Sequence, residues 1–254
     1  MSGLLKDRTI ILTGGASGIG KAAAFLIARN GARVFVGDRD ETAGARMREQ
    51  AEAEGLPISF ARLDITDPDL ARAFVDGVHR EISHADGLVN VAGWDQVEPF
   101  LRNTPELWRQ LVEINLMGVI RMTRLVLDPM IAARRGRIVN IASDAGRVGS
   151  TGEVVYSAAK GGQIAFTKAL AREMARHNIT VNCICPGPTD TPLMHAQVGE
   201  NAAKIIQGMV RAIPLGRLGT PEDMAAPIMF FLEDRASYIT GQILSVSGGL
   251  TMVD

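Results

Sequence analysis

A short apolar run, Thr9–Thr13, breaks into Gly14-Gly15-Ala16-Ser17-Gly18-Ile19-Gly20 and then into a helix-patterned stretch, Lys21–Asn30. Few folds accommodate that order. Glycines let the chain turn sharply and approach a ligand closely. The helix that follows offers unpaired N–H groups and a partial positive charge to an anion such as a pyrophosphate. Gly14, Gly18 and Gly20 are spaced Gly-x-x-x-Gly-x-Gly rather than the common Gly-x-Gly-x-x-Gly. Such a turn acquires meaning only between a strand and a helix, which is where this one lies.

The alternation continues along the chain. Thr9–Thr13, Arg33–Gly37, Ile58–Leu63, Gly87–Asn90, Arg137–Ala142, Thr180–Cys185 and Ile243–Val246 read as buried strands. Lys21–Asn30, Glu41–Glu54, Pro68–Ile82, Pro105–Ala133, Val154–His177 and Pro221–Leu232 read as helices. Thr220-Pro221 sets proline just inside a helix start, and Gly31 follows Asn30 as a helix stop. Near-continuous apolar strands separated by helices predict an α/β fold, a mostly parallel, doubly wound sheet of seven strands covered on both faces. One domain over residues 1–254 is the simplest organisation. Pro192–Pro214 has no place in the alternation and reads either as a flap over a site or as a surface excursion.

A formal net charge of −1, with no Lys/Arg block, argues against a nucleic-acid or anionic-membrane surface. No apolar run reaches the roughly 18 residues of a spanning helix. Met1–Arg8 lacks the apolar core of a secretory signal, so a cytoplasmic location is expected. Cys183 and Cys185, two apart on one strand, would face the same side as structural thiols. His79, His84, His177 and His195 show no ligand spacing, and no metal site is expected.

The second strand runs into Asp38, about 20 residues beyond the glycine loop, where an acid meets an adenosine ribose. Its carboxylate can accept from both ribose hydroxyls and would repel a 2′-phosphate, which favours NAD over NADP. The next residue, Arg39, could pair with that phosphate if the loop shifted.

Tyr156 and Lys160 lie four apart, on one face if the segment is helical. That spacing alone describes many solvated helix faces. With Ser143 at the end of the preceding apolar run, it describes a device for moving a proton beside a hydride. A phenol of pKa about 10 is a poor base at neutral pH. A cation held nearby would lower that value toward the useful range.

With the glycine loop, Asp38 and this pair in hand, the chain resembles the short-chain dehydrogenase/reductase family over essentially its whole length. The resemblance implies a Rossmann-type fold and a cofactor held by Gly14, Ser17, Gly18, Ile19, Gly20, Asp38, Arg39, Asp64, Ile65, Asn90, Ala92, Gly93, Tyr156, Lys160, Pro186, Gly187, Thr189 and Thr191. Asp64 would accept from the adenine amino group, and Pro186 to Thr191 would hold the carboxamide. Asn115, Ser143, Tyr156 and Lys160 match the family's catalytic tetrad, with Asn115 holding a water that connects Lys160 to solvent. The family's Asn-Asn-Ala-Gly reads Asn90-Val-Ala-Gly93 here, so the second asparagine's hydrogen bond must come from elsewhere. Gly93-Trp-Asp95, Asn140 to Val148, Cys185 to Thr191 and Ser245 to Met252 are similar to family members that oxidise 2-hydroxycyclohexanecarbonyl-CoA and other alicyclic alcohols. Ile213 to Leu218 also resembles 3-oxoacyl-thioester reductases.

The expected reaction interconverts a secondary alcohol and a ketone with NAD, on a β-hydroxyacyl thioester. The rivals are an NADPH-linked 3-oxoacyl-thioester reductase and a non-catalytic nucleotide-sensing module, since fold alone does not decide function. Trp94 either walls an alicyclic ring or closes the core under a loop. Asp144 and Arg147 are substrate contacts or a local ion pair, and Lys204 and Arg211 meet a thioester's phosphates or are surface charges. The resemblance also implies a homotetramer, with Pro105–Ala133 and Val154–His177 packing between subunits.

Overall fold

The computed structural model describes residues 3–198 and 202–253, and within them a seven-stranded sheet, every pairing parallel, in the order β3-β2-β1-β4-β5-β6-β7. The strands are β1 (Thr9–Thr13), β2 (Arg33–Asp38), β3 (Ile58–Arg62), β4 (Gly87–Asn90), β5 (Gly136–Ile141), β6 (Ile179–Pro186) and β7 (Ile243–Val246). All seven expected runs are strands, shifted at their ends by a residue or so. The sheet reverses its winding between β1 and β4, where a crevice opens at the carboxyl ends of the strands.

Alternation along the central strands divides the core in two. Ile10, Leu12, Val34, Val36, Val139 and Ile184 face α1 (Gly18–Arg29) and α10 (Pro221–Leu232). Ile11, Phe35, Leu88, Ile138 and Val181 face the opposite layer, which includes α3 (Pro68–Glu81), α5 (Gly118–Ala133) and α7 (Val154–Met174). Each fully buried Leu or Ile contributes about 1.5–3 kcal/mol to holding the layers together. No helix among the described residues is long and apolar enough to cross a membrane.

Helix starts follow local chemistry. Asp40 caps α2 (Glu41–Ala53) by accepting from Ala43 N, Asp67 caps α3, Thr104 caps α4 (Pro105–Val112), and Thr220 and Asp223 cap α10 reciprocally. The glycine-loop helix α1 differs. Its N-cap Ser17 makes no capping bond and its first turn carries no acid, so its N–H groups remain available.

Two expectations need correction. Pro105–Ala133 is not one regular helix. Between α4 and α5, Glu113–Met117 widens to i→i+5 bonding, with Asn115 at its centre. Pro192–Pro214, which had no place in the alternation, is helical: it holds α8 (Pro192–Val198) and α9 (Ala202–Ala212), while residues 199–201 lie outside the described residues. Short helices also form at Phe100–Arg102 and at α6 (Ala145–Val148).

Candidate active site

A cavity of about 1110 Å³ opens at the β1/β4 switch point. Gly14, Ser17, Gly18, Ile19, Gly20, Asp38, Arg39, Asp64, Ile65, Ala92, Gly93, Trp94 and Thr191 line it, twelve of them read from the sequence as cofactor residues and Trp94 as a substrate contact. The glycines are required by geometry. A Cβ on Gly14, at φ +70°, would lie 2.6 Å from Ala92 Cα, and one on Gly20 would lie 2.1 Å from the Gly14 carbonyl oxygen. A bare backbone loop facing the uncapped start of α1 suits the pyrophosphate of a dinucleotide.

Asp38 stands at the end of β2. Its Oδ2 accepts from Ala16 N at 3.0 Å and its Oδ1 from Asp40 N at 3.1 Å, so both oxygens are aimed by the backbone. Arg39 is exposed on the same rim. Asp64 accepts from the Thr66 N–H at 2.9 Å and hydroxyl at 2.7 Å. Partial burial works to raise its pKa, but the Thr66 donors outweigh it and hold the carboxyl below its usual range.

Asn90 does not reach the cavity. It is buried and donates to Thr123 Oγ1 at 3.2 Å and to Asn140 Oδ1 at 2.9 Å, and Asn140 donates on to Thr167 Oγ1. Asn90 therefore ties β4 to β5 beneath the site. Thr13 Oγ1 accepts from Ala92 N at 3.3 Å, a bond to the loop where Val91 offers no side-chain partner. Pro186, Gly187 and Thr189 lie outside the cavity lining as well. Thr189 is buried and donates to the Gly187 carbonyl at 2.8 Å, shaping the turn after β6.

Asn115, Ser143, Tyr156 and Lys160 are not among the lining residues, but Asn115 and Lys160 meet the cavity wall at one point. Gly93 is the junction: a Cβ there would sit 3.1 Å from Asn115 Oδ1 and 3.4 Å from Lys160 Nζ. Lys160 is buried and donates to the Ile141 carbonyl at 2.8 Å, and its Nζ lies 5.6 Å from the Tyr156 ring centre. Ser143 lies just past β5, and its Oγ accepts from Ala145 N at 3.1 Å. Cys183 and Cys185 are buried side by side against Ala142, a small apolar cluster near Lys160.

Two tetrad expectations change. The phenol pKa is not lowered. Burial pushes it up, and the charges of Asp95 and Glu153 push it further, against a smaller lowering by the Ser143 hydrogen bond. Burial instead lowers Lys160 to about 8, with Cys183, Cys185 and Asp95 opposing the shift. A water held by Asn115 would have to donate to one of its oxygens, since neither amide hydrogen is free. Both are spent on the Trp94 carbonyl at 2.6 Å and the Leu111 carbonyl at 3.0 Å, while Gln163 donates to the Asn115 carbonyl.

Among the candidate substrate contacts, only Trp94 lines the cavity; it is half-buried and closes no core. Asp144 and Arg147 do not line the cavity and make no direct ion pair with each other. Ser245 joins them, donating to Asp144 and accepting from Arg147 at 2.9 Å, and Arg147 also reaches the Val253 carbonyl at 3.1 Å. They dock β7 and the residues that follow. Lys204 and Arg211 are exposed on α9. The sequence reading passed over Asp95, Glu153 and Gln197, which meet beside Tyr156. Asp95 stood in a quoted motif, but nothing local signals its partner.

The family model described as "Enoyl-(Acyl carrier protein) reductase" matches residues 14–251. The chain is a short-chain dehydrogenase/reductase. It is similar to 3-oxoacyl-acyl-carrier-protein reductases of Chlamydia trachomatis, at 40% identity over 98% of this chain and 100% of that protein, and of Thermotoga maritima, at 39% over 98% and 99%. The Escherichia coli reductase of that name is 35% identical over 98% and 99%. Among solved structures, the crystal structure of gox2181 superposes with a TM-score of 0.91 at 31% identity, covering 97% of this chain and 96% of that one. As a member of this oxidoreductase family the chain works with a nicotinamide cofactor on a hydroxyl or keto group. These relatives are named for 3-oxoacyl reduction and not for alicyclic-alcohol oxidation.

Proposed function

We propose that this dehydrogenase/reductase reduces the 3-oxo group of an acyl thioester, reversibly. The observation that carries the reading is the Tyr156 phenol, beside Ser143 at the carboxyl end of β5, with its proton retained by burial and by the Asp95 charge. A phenol that keeps its proton suits protonating a ketone oxygen as hydride arrives. The relatives named as 3-oxoacyl reductases support the same direction and substrate class. When bound, the dinucleotide supplies the hydride. Ser143 orients the carbonyl oxygen and stabilises charge developing on it. Tyr156 donates its proton, and the Lys160 ammonium offsets the phenolate left behind.

Asp38 supports NAD over NADP, because a 2′-phosphate would face a carboxylate fixed by two backbone donors. A second substrate reading, a 2-hydroxycyclohexanecarbonyl-CoA-like ester, is favoured by one observation: Trp94 on the cavity wall offers an apolar face to a ring. The chain is further proposed to assemble as a homotetramer through α4, α5 and α7, whose exposed Trp108 and Val154, with the neighbouring Met117, would be covered.

Initial rates with NADH on a linear 3-oxoacyl-CoA, a cyclic 2-oxocyclohexanecarbonyl-CoA and unesterified cyclohexanone test the reading. The linear thioester should give the highest kcat/KM. Dinucleotide binding without turnover of any of them would replace the enzyme with a sensing module.

A further inference from the structure

Gln163 lies on α7 three residues beyond Lys160, on the same side of the helix, and is 0% exposed. Its side chain reaches the widened turn at Glu113–Met117, where Nε2 donates to the Asn115 main-chain carbonyl. The two segments are close: a Cβ on Gly162 would lie 3.0 Å from Leu116 Cδ2. A carbonyl oxygen only accepts, so this contact fixes which way the Gln163 amide faces. Oε1 is thereby turned elsewhere, buried and with no donor among the described residues.

A buried acceptor without a donor is costly, and leucine would fill a similar volume without one. Packing therefore does not account for an amide at this position. What the amide adds is the N–H held against Asn115, and Asn115 controls the wall of the cavity. Its Oδ1 accepts from Trp94 N at 3.2 Å, and its Nδ2 donates to the Trp94 carbonyl at 2.6 Å. A Cβ on Gly93, the residue before, would lie 3.1 Å from the same Oδ1 and 3.4 Å from Lys160 Nζ. The contacts close a ring: Lys160 and Gln163 on α7, Asn115 on the widened turn, Gly93 and Trp94 on the loop after β4. We propose that Gln163 is a positioning residue: by holding the Asn115 carbonyl it keeps the turn wide and sets the Gly93–Trp94 wall against Lys160.

The other flank of the turn is fixed without Gln163. Glu113 Oε1 accepts from Arg121 Nη2 at 2.6 Å, and Arg121 also donates to the Ile65 carbonyl. A Cβ on Gly118 would lie 2.6 Å from Ile65 Cδ1, so the start of α5 is pressed against that residue. With this flank anchored, loss of the Gln163 bond frees the Asn115 side. A return to regular helical bonding there would turn Asn115 about the helix axis and weaken its grip on Trp94. The consequence for turnover rests on the proposed reductase reading, in which Lys160 offsets the phenolate; the consequence for the loop does not.

Hydrogen exchange of the Trp94 amide, followed by NMR in the full chain without substrate, tests the proposal. In Gln163→Leu the Trp94 opening constant should rise about 3- to 10-fold, the factor for about one net hydrogen bond. The urea midpoint should stay near that of the wild type, because each form leaves one buried acceptor unpaired: Oε1 in one, the Asn115 carbonyl in the other. Gln163→Met, unbranched like glutamine and equally without a donor, should match Gln163→Leu. Thr167→Val should leave Trp94 protected. It removes a hydrogen bond from the same helix, Asn140 Nδ2 to Thr167 Oγ1 at 2.9 Å, that lies outside the ring. Adding Gln163→Leu to Asn115→Leu should change Trp94 exchange no further. Wild-type exchange at Trp94 in either Gln163 variant overturns the proposal. So does an equal rise in Thr167→Val, an additive effect in the double variant, or a large fall in the Gln163→Leu urea midpoint, which would make the amide a stabilising group only. No turnover is read in these measurements, so a failed positioning role and a failed reaction assignment are separable. In turnover, kcat for the thioester should fall in Gln163→Leu while KM changes less, and an unchanged kcat counts against the role as well.

Discussion

Asn115 grips Trp94 at both ends of the residue: its Oδ1 accepts from the Trp94 N–H at 3.2 Å, and its Nδ2 donates to the Trp94 carbonyl at 2.6 Å. The widened turn at Glu113–Met117 aims the amide, and the grip fixes the loop that carries Gly93 and Trp94 along the cavity. Asn115→Leu keeps the volume and removes three hydrogen bonds, counting the one to Leu111. Urea unfolding should show a loss of about 1–3 kcal/mol, with kcat/KM reduced. Unchanged values of both would show that the loop needs no such restraint.

Asp38 presents a charge where a 2′-phosphate would sit. Asp38→Asn keeps an acceptor for Ala16 and removes the charge. The ratio of kcat/KM for NADPH to that for NADH should rise about tenfold, equivalent to about 1.4 kcal/mol, with Arg39 free to pair with the phosphate. Parallel initial-rate measurements check this, and a ratio that does not move would place cofactor choice elsewhere.

Lys160 and Asp95 give stability opposite pH dependences. Lys160 is lowered from 10.5 to about 8, so it binds its proton less tightly folded than unfolded. Its contribution to stability rises with pH between about 8 and about 10. Asp95 is raised from 3.8 to about 7, binds its proton more tightly when folded, and loses its contribution between about pH 4 and about pH 7. Urea midpoints across pH should show both slopes, with Lys160→Met removing the alkaline one and Asp95→Asn the acidic one. Activity should fall as pH rises through about 8, where the ammonium that balances the phenolate is lost.

The strands were legible because each is an apolar run between turn residues, and the glycine loop because its glycines stand together between a strand and a helix. What escaped was set by contacts distant in the chain. Nothing between Pro105 and Ala133 announces the widened turn, which accompanies Asn115 bonding to Trp94 and Gln163 reaching back from α7. The spacing of Tyr156 and Lys160 is visible in sequence, and it suggests a lowered phenol pKa. The raised value comes from burial and from Asp95, a residue the fold delivers from the loop after β4. Asn90 was assigned to the cofactor from its motif, and the cross-strand pairing that turns it toward Asn140 appears only when β4 lies beside β5.

Tyr156→Phe tests the central claim most directly. It removes one oxygen and leaves Ser143, Lys160 and the cavity lining in place. Titration of the variant with NADH should give the wild-type dissociation constant, while kcat for the best 3-oxoacyl thioester falls about 10²- to 10⁴-fold, the span of general acid–base catalysis. Near-normal turnover by this variant would contradict the account.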